Sequence, residues 1–301
     1  MPRWKQDPAV FPASRCHGLV PAEERAYVIC TAPARNVQPR MLCVVDVNPT
    51  SPAYGEVIHE IAIAQPEDRP AVVHHAPRVI MNAPWHTQQI APVSLLAQDP
   101  TGLFGFVGSG IDPLTLSSSI SAWRLNPEPR SSASGALSTV IAIAGAPVAD
   151  GAAPGLPLPD GVVPALITDM ALSPDSRFLY VACWGTGELR QFDVSNPLDP
   201  REIASVRVGG IVARAPHPSQ ARQLDGGPAT ITVSHDGRRL YVTNASPVWE
   251  SHFYPDGLNG WMVKIDADLA GGISIDPNFF LDFGDRRPLR VHVLGQRLER
   301  P

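Results

Sequence analysis

Residues Leu166–Pro200, LITDMALSPDSRFLYVACWGTGELRQFDVSNPLDP, carry three runs of β-forming residues cut by tight turns. Ile167–Leu172 is short and apolar, and Ser173-Pro174-Asp175-Ser176 turns the chain. Arg177–Cys183 follows, and Gly185-Thr186-Gly187 turns it back. Glu188–Val194 then alternates apolar and polar positions until Ser195-Asn196-Pro197 stops it. Short β-rich runs broken by Gly, Pro, Asn and Ser read as a meander of strands.

The signal returns in Thr230–Val233, Ser234-His235-Asp236-Gly237 and Arg238–Thr243, where Asp236 and Tyr241 take the offsets of Asp175 and Tyr180. A strand–turn–strand unit recurring along a chain is how the blades of a β-propeller look in sequence. Two earlier units fit the same template. One holds Ala26–Thr31, Met41–Val47 and Gly55–Ala64; the other holds Val93–Ala97, Leu103–Val107, Ser118–Leu125 and Thr139–Ala144. Asp46-Val47-Asn48-Pro49 ends its strand as Asp193-Val194-Ser195-Asn196-Pro197 does, with Asn-Pro opening a turn. The reading is therefore all-β, a β-propeller of about four blades over residues 25–285. An irregular arm (1–24) precedes it and a basic tail (286–301) follows, with Arg290–Leu294 as its strand. The last full unit takes in Gly260–Asp266 and Asn278–Asp282, and Ala146–Pro164 reads as one long Pro/Gly-rich loop.

Composition narrows the function classes. With 33 Pro and 24 Gly in 301 residues, the chain is turn-dense and not a helical bundle. The formal net charge is −5, and lysine occurs only at Lys5 and Lys264, so no basic stripe exists for a nucleic-acid backbone. No run approaches the ~18 apolar residues of a membrane span. The N-terminus lacks an apolar signal-peptide core, which makes the cytoplasm the expected compartment. Cys16, Cys30, Cys43 and Cys183 show no CxxC spacing. Cys43 and Cys183 sit in strand-like runs and read as buried, inert thiols, and Cys30 ends the apolar Tyr27–Ile29 run.

Four segments together resemble the selenium-binding protein family, whose bacterial members include methanethiol oxidases. They are VVDVNPTSPAYGEVIHEIAI, LITDMALSPDSRFLYVACWGTGELRQFDVSNPLDPREIASVRVGG, GGPATITVSHDGRRLYVTNA and FYPDGLNGWMVKIDADLAGGISIDPNFFLDFG. The resemblance covers most of residues 25–285 in two blocks. It implies a seven-bladed ring in the family, and hence an internal deletion of about three blades here, with its junction at residues 76–89. After Gly284 the chain departs from the family pattern and ends in a truncated segment.

The resemblance also implies chemistry. In the oxidase members a copper site is built from histidines, including a His-His pair and a His near the C-terminus; His74, His75 and His292 stand at those positions. Neighbouring residues of a regular strand point to opposite faces, so His74 and His75 would share one ion only from an irregular loop. Pro70 and Pro77 bracket them. The cysteine linked to selenium binding in animal members falls at Gly55, which leaves Cys30, matching another family cysteine, as the candidate sulfur for selenium. Ser94 and Leu96 stand where the family usually carries Glu and Arg. The implied reaction converts methanethiol, O2 and water to formaldehyde, hydrogen sulfide and hydrogen peroxide. Two alternatives stand beside it: a non-catalytic propeller that binds a ligand or partner through its loops, and an inactive gene remnant. A shortened ring with unpaired blade edges would also self-associate. Elsewhere, Asp169, Asp175, Asp193, Asp236 and Asp266 read as turn and strand-end caps, His235 as an exposed turn residue, and His252 with Trp249 and Tyr254 as an aromatic cluster at a blade edge.

Overall fold

The computed structural model describes residues 22–31, 40–63, 95–99, 104–109, 111, 115–124, 138–148, 156, 158 and 161–293. The first sheet takes β1 (Arg25–Thr31), β2 (Arg40–Asp46) and β3 (Val57–Ile63). The second holds β4 (Leu95–Gln98), β5 (Phe104–Ser109), β6 (Ser118–Arg124) and β7 (Ser138–Ile143). After the two-residue strands β8 (Ala146–Pro147) and β9 (Val162–Val163), the third sheet holds β10 (Ile167–Leu172), β11 (Phe178–Cys183), β12 (Glu188–Asp193) and β13 (Arg201–Arg207). The fourth holds β14 (Thr230–Val233), β15 (Arg239–Thr243), β16 (Gly260–Ala267) and β17 (Ile273–Gly284), with helix α1 (Pro247–Phe253) between β15 and β16. The last strand, β18 (Arg287–Val293), returns to the first sheet, whose order is β18-β1-β2-β3. Every pairing within the four sheets is antiparallel.

Residues 287–293, read from sequence as part of a tail, are thus the fourth strand of the first sheet. Ala26 pairs with Val293 and Thr31 with Arg287, so backbone hydrogen bonds join the two ends of the described chain. The strand begins three residues earlier than expected, because Pro288 sits at a register shift opposite Cys30, where a missing N–H does least harm. The same physics lengthens β17. Pro277 masked its N-terminal half in sequence, but it falls in a bulge between the pairs Ile265↔Ile275 and Val263↔Phe280 of an outer strand.

Three cores lie between sheets. Phe106, Ile120 and Ile143 of the second sheet pack with Ile167, Leu179 and Val181 of the third. Phe178, Tyr180 and Leu189 of the third pack with Leu240, Val242 and Trp261 of the fourth. Tyr241, Met262 and Phe279 of the fourth pack with Ala26, Val28 and Cys43 of the first. This explains why β11 reads FLYVAC without alternation: it is covered on both faces, and all six residues are buried. Each large apolar side chain so buried stabilises the fold by about 1.5–3 kcal/mol.

A further cluster, Leu166, Trp184, Phe253 and Leu258, lies where connections converge. Trp184 packs 6.0 Å from the rings of both Phe253 and Tyr254, and its indole N–H donates to the Asn244 carbonyl at 3.0 Å. The expected aromatic cluster is here built on a helix that periodicity did not reveal. Seven residues are too few for a clear pattern, though Pro247 in its first turn suits a helix start. The long loop from Ala146 is also modified, since its two ends pair as β8 and β9.

The repeated turns match in atomic detail. Ser173 Oγ donates to Asp175 Oδ1 and accepts from the Phe178 N–H; Ser234 and Asp236 repeat this with the Arg239 N–H. Asp175, Asp193 and Asp236 are therefore turn caps, as expected from sequence. His235, expected to be exposed, is half-buried.

Candidate functional site

His74 and His75 lie outside the described residues. His292 lies on β18, opposite Tyr27 and one residue from the strand end that meets the start of β1. It is exposed, while Val291 before it is buried, because successive strand residues face opposite ways. Partial burial and the neighbouring Arg290 cation lower the pKa of its imidazole. Register places His292, Tyr27, Val44 and His59 in one row across the sheet. Three strand spacings of about 4.8 Å separate the two histidines, too far to share an ion. Among the described residues, no three His, Cys, Asp or Glu side chains converge on a possible metal position. The described part of the expected copper set is thus one imidazole.

Ile63, from which the chain leaves toward His74, is level with Arg40, at the end of the sheet away from His292.

The sulfur side of the site is better defined. Cys30 is 1% exposed, so it is a core residue of the first sheet. Its Sγ lies 3.8 Å from Sγ of Cys43 on the adjacent strand. Val28 pairs with Cys43 and Cys30 with Met41, so the two cysteines are diagonal neighbours on one face. The Cys30 thiol beside Cys43, together with the Arg286 guanidinium, lowers the Cys43 pKa, whereas Cys30 is raised by Cys43 and by burial. Cys43 was expected to be an inert core thiol. It is buried as expected, and across-strand register gives it a sulfur partner and a nearby cation that its own sequence neighbours do not reveal. Cys183, by contrast, is buried alone and its thiol is pushed up to about 12 by desolvation, as an inert core thiol should be.

Gly55, at the position of the family's selenium-linked cysteine, has φ +78°. A Cβ there would meet the Phe279 ring at 3.7 Å, an ordinary contact, but the left-handed backbone favours glycine. Leu96 is half-buried on β4, and Ser94 lies outside the described residues.

Asp169 was read as a cap and is something else. It sits within β10 at a register shift, and its Oδ2 accepts the Ile231 N–H of the neighbouring sheet at 2.8 Å. Arg290 of β18 comes within 4.0 Å of the same oxygen, and Thr232 Oγ1 donates to the Val291 carbonyl at 2.7 Å. Strands β10, β14 and β18, the leading strands of three sheets, are thereby tied side by side through polar groups. A lone Asp in an apolar strand carries no sequence signal for such a link. A second polar cluster joins the outer parts of the first and fourth sheets. Lys264 Nζ lies 2.7 Å from Asp276 Oδ2, which also accepts from Tyr54 Oη at 2.7 Å. Burial pushes the Tyr54 phenol up to about 12.

A model of the 56 kDa selenium binding protein (SBP56) family matches residues 86–298. A Mus musculus protein named methanethiol oxidase is 39% identical over 144 residues, which cover 41% of this chain and 30% of that protein. Arabidopsis thaliana selenium-binding protein 3 is 40% identical over 139 residues, covering 40% and 29% respectively. The matches thus span about 30% of the curated relatives' length. In fold, the chain is similar to a hypothetical selenium-binding protein from Sulfolobus tokodaii solved by X-ray diffraction. The TM-score is 0.78 at 24% identity, over 96% of this chain and 97% of that one.

Proposed function

This chain belongs to the 56 kDa selenium-binding protein family, and from that premise we propose that its four sheets are four blades of a propeller that oxidises methanethiol. The observation that carries the reading is the family match over residues 86–298, together with relatives named methanethiol oxidase. In this reading His74, His75 and His292 hold copper, for which imidazole nitrogen is a suitable donor. Bound copper would supply one-electron redox chemistry with O2. The described residues contribute one of the three imidazoles, so the role derived for this chain stops at His292 presenting its ring from β18. Cys30 is the proposed sulfur for selenium, and Cys43 beside it favours capture of soft ligands at this place.

Copper quantification on the purified protein, with a hydrogen sulfide assay on methanethiol, tests the oxidase reading. Stoichiometric copper and sulfide release are expected. A folded chain without copper overturns that reading, and a His74→Ala/His75→Ala double variant that keeps full copper overturns the ligand assignment. Self-association through open blade edges belongs to the same reading, and size-exclusion chromatography across a concentration series checks it.

A further inference from the structure

Cys30 and Cys43 bring two cysteine sulfurs together among the described residues. Three observations bear on what they can do. First, the separation is 3.8 Å, and two sulfurs bonded at about 2.3 Å to one bent centre stand about this far apart. A direct disulfide needs about 2.05 Å, and diagonal cross-strand Cα atoms lie about 7–8 Å apart, beyond the ~6.8 Å a disulfide tolerates. The sulfur separation therefore matches a one-atom bridge and not a direct bond. Second, the pair is buried and has no further metal-type ligand among the described residues. Both residues are at most 1% exposed, and among the described residues no third His, Cys, Asp or Glu completes a ligand group with them. A four-coordinate ion such as zinc is poorly served by this, while a centre satisfied by two sulfurs is not. Third, the Arg286 guanidinium beside Cys43 favours its thiolate, the nucleophilic form, and Arg286 with its partner Glu60 is partly exposed at the surface.

We propose that Cys30 and Cys43 act together as a dithiol that captures one thiophilic main-group centre as a sulfur–X–sulfur bridge. This deepens the selenium reading above by supplying the second sulfur, and its arsenical form does not depend on that reading. With an organoarsenic(III) oxide, two S–As bonds form and the As–O bond breaks. The two thiol protons leave with the oxygen as water, and no oxidation state changes. With selenite, the two cysteines and two thiols of glutathione react with one selenous acid molecule to give the S–Se–S bridge, glutathione disulfide and three waters. The glutathione thiols supply the two electrons that take selenium from the +4 to the +2 state.

The test uses the full chain, with phenylarsine oxide in one arm and selenite plus glutathione in the other, read by intact mass and elemental analysis. Cys30→Ala, Cys43→Ala, Cys16→Ala and Cys183→Ala are compared, each checked for folding by circular dichroism. In the arsenical arm, one phenylarsenic group per chain is expected on the native protein, the Cys16 variant and the Cys183 variant. It should be lost from the Cys30 and Cys43 variants. No uptake by the native protein, or full uptake without Cys43, overturns the pair. In the selenite arm, loss of selenium in both the Cys30 and Cys43 variants supports the bridge. Selenium kept without Cys43 but lost without Cys30 overturns the selenium bridge and leaves the single-cysteine reading standing. Selenium indifferent to both substitutions overturns the selenium assignment of Cys30, and the arsenical arm still decides the pair.

Discussion

The Glu23 carboxylate receives two hydrogen bonds from the Arg239 guanidinium, at 2.8 and 2.9 Å. Tyr241 Oη donates to the same carboxylate at 2.8 Å, and Arg239 also reaches Asp236 at 3.0 Å. Glu23 is 2% exposed, so the residues just before β1 are clamped onto β15 of the fourth sheet by a buried charge. Removing one partner of such a pair leaves the other uncompensated. Glu23→Ala should destabilise the fold by about 3 kcal/mol, at the low end for a buried pair because Asp236 stays with Arg239. Urea unfolding of the two proteins measures the difference, and an unchanged midpoint would remove the clamp from the account.

Asp169 ties the third sheet to the fourth through the Ile231 N–H. Asp169→Ala leaves that donor without its charged acceptor and should cost about 1.5–3 kcal/mol. Asp169→Asn keeps an acceptor oxygen and should recover part of the loss. Thermal unfolding of both variants ranks them, and equal melting temperatures would place the stability of this link in the surrounding packing alone.

Gly209 has φ +68°, and a Cβ there would stand 1.9 Å from the Gly226 carbonyl oxygen. Both the left-handed backbone and the clash fall on main chain, which cannot swing aside. Gly209→Ala should destabilise by about 3 kcal/mol or more. Soluble expression and melting temperature report it directly; Gly161→Ala, with open space around its Cβ position, is the comparison that isolates the clash from the φ strain.

His217 is 1% exposed, its Nε2 donates to the Asp276 carbonyl at 3.0 Å, and its Nδ1 accepts from the Ser219 N–H at 3.2 Å. Both ring nitrogens are used by the neutral form, and burial lowers the imidazole pKa. In the window between the folded value and the ordinary one near 6.5, the unfolded chain binds a proton that the folded chain refuses. The contribution is therefore full above pH ~6.5 and is lost as pH falls through that window. Melting temperature followed from pH 8 to pH 5 should fall, and His217→Gln should flatten that fall. A variant with the same slope as the native protein would assign the pH dependence to other groups.

The strand meander and its turn chemistry were legible in the sequence because both are local. Ser173-Pro174-Asp175 and Ser234-His235-Asp236 cap their turns through atoms a few residues away, so the spacing alone carries the information. The family resemblance was legible for the same reason, as contiguous segments. What stayed hidden was long-range. Glu23 meets Arg239 across 216 positions, and Asp169 meets Ile231 across 62. Neither distance leaves a period to read. Helix α1 and the proline-bearing half of β17 were missed because a seven-residue helix and a bulged outer strand obey tertiary packing over propensity.

The two cysteines mark the boundary between these levels. Sequence alone placed Cys43 inside a β-forming run, as a core thiol, and Cys30 at the end of one; that Cys30 is a core residue too came only from the structure. Only the antiparallel register of β1 and β2, with Val28 opposite Cys43 and Cys30 opposite Met41, set their sulfurs 3.8 Å apart. The return of β18 to the first sheet likewise brought His292 opposite Tyr27. Strand propensity is a property of neighbouring residues; register and sheet closure follow from burying both faces of the sheets at once, which no single stretch of sequence encodes.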